Sequence, residues 1–292
     1  MTGLPVQGRI QTVNDMNDWA REWPAPAKLN LFLHVIGRRA DGYHLLQTVF
    51  RFLDHGDSIR CEPRHDDRIV LATDLPGVAP ANNLIVRAAE ALRIAAGATV
   101  TCGVTLHLEK RLPLGGGLGG GSSDAATTLL ALNHLWRTGL DRPQLQRIGL
   151  TLGADVPIFI HGHTAFAEGI GEQFTDVVLP PAWYLVLVPP VAVPTAQIFS
   201  AADLRRDTPA ITAADWRPGF GHNDLQPVAC ALYPEVARHL AWLAQWGDAR
   251  MSGSGACCFV DFADAAIAYA AHALLPSDIQ GFVARGVDHH PL

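Results

Sequence analysis

Residues 112–130 read LPLGGGLGGGSSDAATTLL, with six glycines at positions 115–121. Each glycine gives up more conformational freedom on folding than any other residue, so such a cluster implies backbone that must come very close to something. The residues before it, VTLHLE at 104–109, alternate as a strand, and SSDAATTLLALNHLWRTG at 122–139 has the character of a helix. Ser122, Ser123 and Asp124 are placed to cap the free amides of that helix's first turn. The order strand, glycines, helix start turns successive N–H groups and the positive end of a helix toward one point. Both features favour an anion, and phosphate is the expected one.

Two familiar phosphate loops are excluded. Gly115, Gly117 and Gly120 satisfy GxGxxG, but Pro113 interrupts the strand-to-loop step. Asp141, about twenty residues on, falls in a polar TGLDRP turn where a dinucleotide fold needs a strand end. No GK[ST] closes the run, because Ser122 and Ser123 follow Gly121, so the loop is not a Walker A. A third kind of cradle is implied, with a plain flexible loop as the alternative.

Upstream, AKLNLFLHVI at 27–36 alternates with Lys28, Asn30 and His34 on one face, and LLQTVFRFLD at 45–54 follows the Asp41-Gly42 turn, which predicts an antiparallel hairpin. NNLIVRAAEALRIAAG at 82–97 predicts a helix stopped at Gly97, and RPQLQRIGLTLG at 142–153 another with Pro143 in its first turn. Val156-Pro157 predicts extended backbone directly beyond Asp155. After residue 165 the pattern restarts. A strand at 183–188 leads into a Pro/Ala/Asp-rich connection, a helix over 224–246, then strand, helix and strand at 250–262, 263–275 and 281–287. This is a second α/β unit of the split βαβ kind.

The 292 residues allow two domains, and 49% hydrophobic with 17% charged residues suits substantial cores. A net charge of -6 argues against a general nucleic-acid surface. Five cysteines without CxxC spacing suggest neither a disulfide framework nor a zinc ribbon, and fit a reducing cytoplasm. Residues 1–23 read as a polar extension without a signal-peptide pattern. The greasiest stretch, at 182–193, is short and broken by Pro189 and Pro190, so no membrane span is expected.

Several residues have two readings. Lys28 and Asn30 stand about 6–7 Å apart along a strand face, a spacing that suits two groups touching one substrate, and equally a solvated edge. Asp155 reads as a functional carboxylate or as a turn residue. SGSGA at 252–256 reads as a tight turn or as part of a site. His161 and His163 share a strand face without a third metal ligand at a recognisable spacing. Cys257 and Cys258 read as small buried hydrophobes.

Taken in order, PAKLNLFLHVIGRRADGYH (26–44), NNLIVRA (82–88), LPLGGGLGGGSSDAA (112–126), LGADVPIF (152–159) and MSGSGACCF (251–259) closely resemble the GHMP small-molecule kinases. The resemblance spans most of residues 24–290 and leaves 1–23 outside it. It implies an α+β, two-domain GHMP kinase fold. An N-terminal ATP-binding domain at 24–165, like the second domain of ribosomal protein S5, would meet a ferredoxin-like substrate-binding domain at 166–292 with the site in the cleft between them. The branch it resembles implies ATP-dependent phosphorylation of the 2-hydroxyl of a diphosphocytidyl-methylerythritol substrate, with Mg2+. The alternatives are a kinase of the same superfamily for mevalonate, homoserine or a sugar, and a catalytically silent nucleotide-binding protein.

Carried over by motif, Lys28 and Asp155 would be the catalytic pair, Asp155 accepting or orienting the hydroxyl proton and Lys28 neutralising charge at the transferred group. Pro113, Leu114, Gly115, Gly116, Gly117, Leu118, Gly119, Gly120, Gly121, Ser122 and Ser123 would form the triphosphate cradle, with Asn83 and Lys110 on the adenine side. Asn30, Tyr43, His44, Thr195 and Phe199 would contact the cytidine substrate. Ser122 or Ser123 would be at hand for Mg2+, whose direct ligands the resemblance leaves open. Neither nucleic acid nor membrane is an expected partner, and monomer and homodimer stay equally open.

Overall fold

The computed structural model describes residues 18–75, 77–79, 82–100 and 102–292. Most of the polar extension therefore lies outside the described residues. The two expected hairpin strands are present and longer than the alternation predicted: β1 is Glu22–Arg38 and β2 is His44–Arg64. Their turn is set by Gly42 at φ 92° and by Asp41, whose carboxylate accepts the Tyr43 amide at 3.2 Å.

β2 is the strand around which the sheet is organised. Along its length it pairs antiparallel with β1, with β4 (Gly103–Glu109), with β5 (Ala165–Glu168) and, at Phe52 and Leu53, with β10 (Gly281–Val287). The path through the ten-stranded sheet runs β3 (Ile69–Leu71), β4, β2, β10, β7 (Trp183–Leu187), β9 (Cys258–Phe262), β8 (Arg250–Met251), and β6 (Gln173–Asp176) pairs with β5. β10 thus joins the sheet of the first half to that of the second. Only β3 and β4 pair in parallel among the described strands, and the fold is α+β.

Among the described residues, α1 (Leu84–Ala96), α2 (Gly120–Leu135), α3 (Arg142–Leu152) and α4 (Val156–His161) cover the first half. α1 turns Ile85, Ala88, Ala89 and Leu92 inward, the i, i+3, i+4, i+7 stripe of an amphipathic helix. The core they share with β2 and β4 includes Phe52, Phe159, Leu129 and Leu132. A second core lies under α5 (Thr195–Ser200), α6 (Gln226–Leu232), α7 (Pro234–Leu243) and α8 (Ala265–Ala273), which pack on β7 and β9. Between the two, Ala27, Leu29, Leu53, Leu112, Leu118, Tyr184, Val186, Cys257 and Phe259 form a smaller cluster. Leu112 lies just ahead of the glycine loop and Leu118 between its two runs of three glycines, so apolar burial pins the loop at its entry and at its middle.

Three expectations need correction. Val156-Pro157 does not force extended backbone: Asp155 is itself in the right-handed helical region and α4 starts at once, with proline in its first turn, where its missing N–H breaks no helical bond. The helix expected over 224–246 is two helices that meet at Tyr233-Pro234. The strand expected over 250–262 is two short strands separated by the SGSGA turn. Cys257 and Cys258 are buried, and burial pushes the Cys257 thiol up to about 12, which fits an inert packing role. Among the described residues no helix is long and apolar enough to cross a membrane.

Phe159 is fully buried, packs on Phe52 with 5.7 Å between ring centroids, and lies beneath Gly119. Phe159→Ala should lower the unfolding free energy by about 3–5 kcal/mol through lost burial and a residual cavity, read as a lower urea midpoint at an unchanged m-value.

Candidate active site

The polar face of β1 does not meet solvent. Lys28 is 2% exposed and Asn30 3%, and both line a cleft of about 450 Å³ with the glycine loop. A buried ammonium needs compensation, and Lys28 finds it from three directions. Its Nζ donates to Asn30 Oδ1 at 2.5 Å and to the Gly117 carbonyl at 3.0 Å, and lies 3.3 Å from Asp155 Oδ2. Asp155 is the N-cap residue of α4, and its carboxylate is left facing the cleft because it makes no capping bond to its own helix. Asn30 is held in turn by Thr48, which accepts its Nδ2 at 3.0 Å.

The glycine loop has the form of a cradle. Gly115, Gly117 and Gly119 have positive φ of 66°, 76° and 72°. A Cβ on Gly117 would stand 2.1 Å from the Ser252 carbonyl oxygen, so glycine there is required for space as well as for φ. α2 begins at Gly120, earlier than predicted, with Gly119 as a left-handed N-cap and no side-chain cap. This corrects the capping expectation: Ser122, Ser123 and Asp124 lie inside the helix, as its third to fifth residues. The first amides of a 16-residue helix are therefore free to bind an anion, and the helix dipole adds to the attraction.

Most of the predicted site residues meet in this cleft. Pro113, Leu114, Gly115, Gly116, Gly117, Gly119, Gly120, Gly121, Ser122, Lys28, Asn30, Lys110, Asp155, Thr195 and Phe199 all line it. Leu118 is buried behind the loop and fixes it through its carbonyl, which accepts the Lys28 amide at 2.9 Å. Ser123 is fully buried, with no protein partner for its hydroxyl among the described residues. Asn83 caps α1 by accepting the Ile85 amide at 2.9 Å, and it is the next residue, Leu84, that lines the cleft. His44 stacks on Phe199 with 4.9 Å between centroids, whereas Tyr43 is 58% exposed at the hairpin turn.

Lys110 is more tightly held than its sequence context suggests. Its Nζ donates to Asp57 at 2.5 Å and Asp124 at 2.8 Å. Its charge is favoured by both carboxylates, which outweigh burial and raise its pKa. Burial pushes Asp124 up to about 7, with Asp57 adding to the rise and Lys110 opposing it. Asp57 also accepts the Arg111 and Leu112 amides at 2.6 and 2.8 Å, which fixes the chain where it enters the glycine loop.

Several contributors had little sequence signal. The Ser252 hydroxyl donates to the Gly117 carbonyl at 2.9 Å and accepts the Asn30 amide at 3.2 Å, so the SGSGA turn is part of the site. Asn223 holds that turn by donating to the Met251 and Gly253 carbonyls at 2.8 and 2.7 Å. Ser254 is 2.8 Å from Thr195. Away from the cleft, His161 pairs with Asp176 and His163 with His289, and no group of three such side chains that could hold a metal occurs among the described residues.

Comparison with known proteins agrees with this geometry. Residues 83–163 match the model of the GHMP kinases N terminal domain, and residues 211–274 that of the GHMP kinases C terminal domain. A 4-diphosphocytidyl-2-C-methyl-D-erythritol kinase of Dechloromonas aromatica is 63% identical over 271 residues, 92% of this chain and 98% of that protein. One of Thiobacillus denitrificans with the same name is 58% identical over 273 residues, 94% and 98% of the two chains. A crystal structure of a 4-(cytidine 5'-diphospho)-2C-methyl-D-erythritol kinase superposes with a TM-score of 0.78 at 34% identity, covering 91% of this chain and 99% of that one.

Gly117→Ala should be poorly tolerated, since it combines a positive φ with a clash against backbone. Titration calorimetry with a non-hydrolysable nucleoside triphosphate should show affinity lowered at least about tenfold, because the loop must move away from Ser252.

Proposed function

The chain belongs to the 4-diphosphocytidyl-2-C-methyl-D-erythritol kinases of the GHMP kinase superfamily, and from that premise we propose how its own residues carry the reaction. The protein transfers the γ-phosphoryl group of ATP to the 2-hydroxyl of 4-diphosphocytidyl-2-C-methyl-D-erythritol, leaving ADP. The observation that carries this reading is the Lys28 ammonium, fixed between the Gly117 carbonyl and the Asp155 carboxylate beside an uncapped helix start.

Phosphoryl transfer asks a protein mainly to align donor and acceptor and to balance charge on the phosphate oxygens. In our reading the amides of residues 115–121 and the first turn of α2 wrap the β- and γ-phosphates. Lys28 offsets charge that builds up as the phosphoryl group moves. Asp155, 38% exposed on its side chain, orients the acceptor hydroxyl and takes its proton as the new P–O bond forms. Lys110 and Asn83 are assigned to the adenine side. Asn30, Tyr43, His44, Thr195 and Phe199 are assigned to the substrate side, where the stacked His44 and Phe199 rings suit a flat heterocycle.

A Mg2+ ion travelling with the nucleotide fits this chain in a limited way. With no cluster of three acidic, histidine or cysteine ligands among the described residues, the ion would be held mostly by phosphate oxygens. Ser122 and Asp155, which both line the cleft, are the side-chain oxygens we assign to it. Mg2+ would supply charge neutralisation across the β- and γ-phosphates. We further propose a division near residue 165, with nucleotide held mainly by 24–165 and substrate held between 166–292 and the β1–β2 hairpin residues Asn30, Tyr43 and His44, and a cytoplasmic location in keeping with the free cysteines.

Asp155→Ala should lower kcat by about 10²–10⁴-fold, with ATP affinity within a few-fold of the parent, in a coupled ADP-release assay. Undiminished turnover would remove Asp155 from the chemistry. With the parent protein, ADP release should depend on diphosphocytidyl-methylerythritol, and equal turnover of mevalonate or homoserine would overturn the substrate assignment.

A further inference from the structure

On the substrate side of the cleft one guanidinium makes four hydrogen bonds that link the two halves of the chain. Arg206 follows α5 in the connection between β7 and α6. Its Nε donates to Nε2 of His44 at 3.1 Å. Its two terminal nitrogens donate to three carbonyls: Leu204 at 2.9 Å, Phe199 at 3.0 Å and Ala201 at 2.6 Å. The same group therefore ties the His44 ring to the backbone of the residue on which that ring stacks, at 4.9 Å between centroids and 29° between planes.

The chemistry of this contact fixes a proton. A guanidinium has donors and no acceptor. A histidine nitrogen that receives its N–H must offer a lone pair, so Nε2 is unprotonated and the ring hydrogen is on Nδ1. The ring is neutral in this arrangement, because imidazolium has two donors and would set a hydrogen against the guanidinium. Burial first, then the charges of Arg206 and Arg38, lower the His44 pKa, in agreement with that state.

We propose that Arg206 is a positioning residue for the cytidine substrate: it locks His44 as the Nδ1–H tautomer and clamps it against Phe199, so that the pocket presents one fixed ring donor and one stacked wall. The substrate part of this inference rests on the reading of function above, whereas the tautomer belongs to the free protein. A locked donor favours a base that offers an acceptor atom and disfavours one that offers a hydrogen there, since two opposed donors leave both unsatisfied. The lock also removes the cost of ordering the ring at each binding event.

Two measurements test the proposal. Nitrogen-15 NMR of the free enzyme labelled at histidine should find His44 with Nδ1 protonated and Nε2 bare, and Arg206→Met should mix the two tautomers. Steady-state kinetics of Arg206→Met should show KM for diphosphocytidyl-methylerythritol raised about tenfold, the scale of one lost hydrogen bond, with KM for ATP within about twofold. Because Arg206 also binds backbone, the same substitution is made in a His44→Ala background. If Arg206 acts through His44, its effect on KM should largely vanish there. A proton on Nε2 in the parent enzyme, an equal rise in both KM values, or a full effect of Arg206→Met without His44 would each overturn the proposal. Absence of turnover with the cytidine substrate in the parent would instead sink the reading of function and leave the tautomer result standing.

Discussion

A lysine ammonium taken out of water is the constraint from which the rest of this structure follows. Lys28 is 2% exposed, and a charge so placed is tolerated only when partners surround it. Those partners come from β1 itself, from the glycine loop and from the residue that starts α4. The charge is therefore satisfied only when strand, loop and helix are all in place. Folding and assembly of the site are in this sense one event, and removing Asp155, the charged one of the three partners, leaves the buried ammonium without its counter-charge.

The glycine loop combines freedom with restraint. Its positive-φ glycines allow a path that other residues would strain to follow, yet the loop is tied down along its length. Leu112 and Leu118 are buried in the cluster that joins the two halves, Asp57 binds the amides at its entry, and Ser252 reaches across from the other half to the Gly117 carbonyl. A cradle for phosphate has to be preorganised if its amides are to stabilise charge without rearranging first. Here the stiffness is supplied from outside the loop, by apolar burial on one side and hydrogen bonds on the other.

The second half contributes the opposite wall by the same means. Asn223 ties down the SGSGA turn, Thr195 meets Ser254 across the cleft rim, and Arg206 joins His44 of the first half to Phe199 of the second. Apart from Arg206 and Phe199, seven residues apart, these partners are distant from one another in sequence. The wall is made of short elements, α5 with six residues and β8 with two, whose positions depend on such side-chain bonds more than on their own helical or strand character.

Local pattern alone determined a good deal: the β1–β2 hairpin, the amphipathic α1 and the free glycines before a helix, from which an anion cradle was the expectation. These follow from periodicity and from backbone constraints that act within a few residues. Where such rules failed they were outweighed by context, as at Val156-Pro157, where proline opens a helix, and at Gly120, where the helix starts before its supposed caps. What no local rule contained was the convergence. Lys28 reads equally as a solvated edge residue, and Asp57, Asn223 and Arg206 have no signature, because each acts on a residue dozens of positions away. Only the tertiary structure decided that the polar face of β1 is buried against the loop, since burial depends on which distant surfaces the apolar clusters bring together.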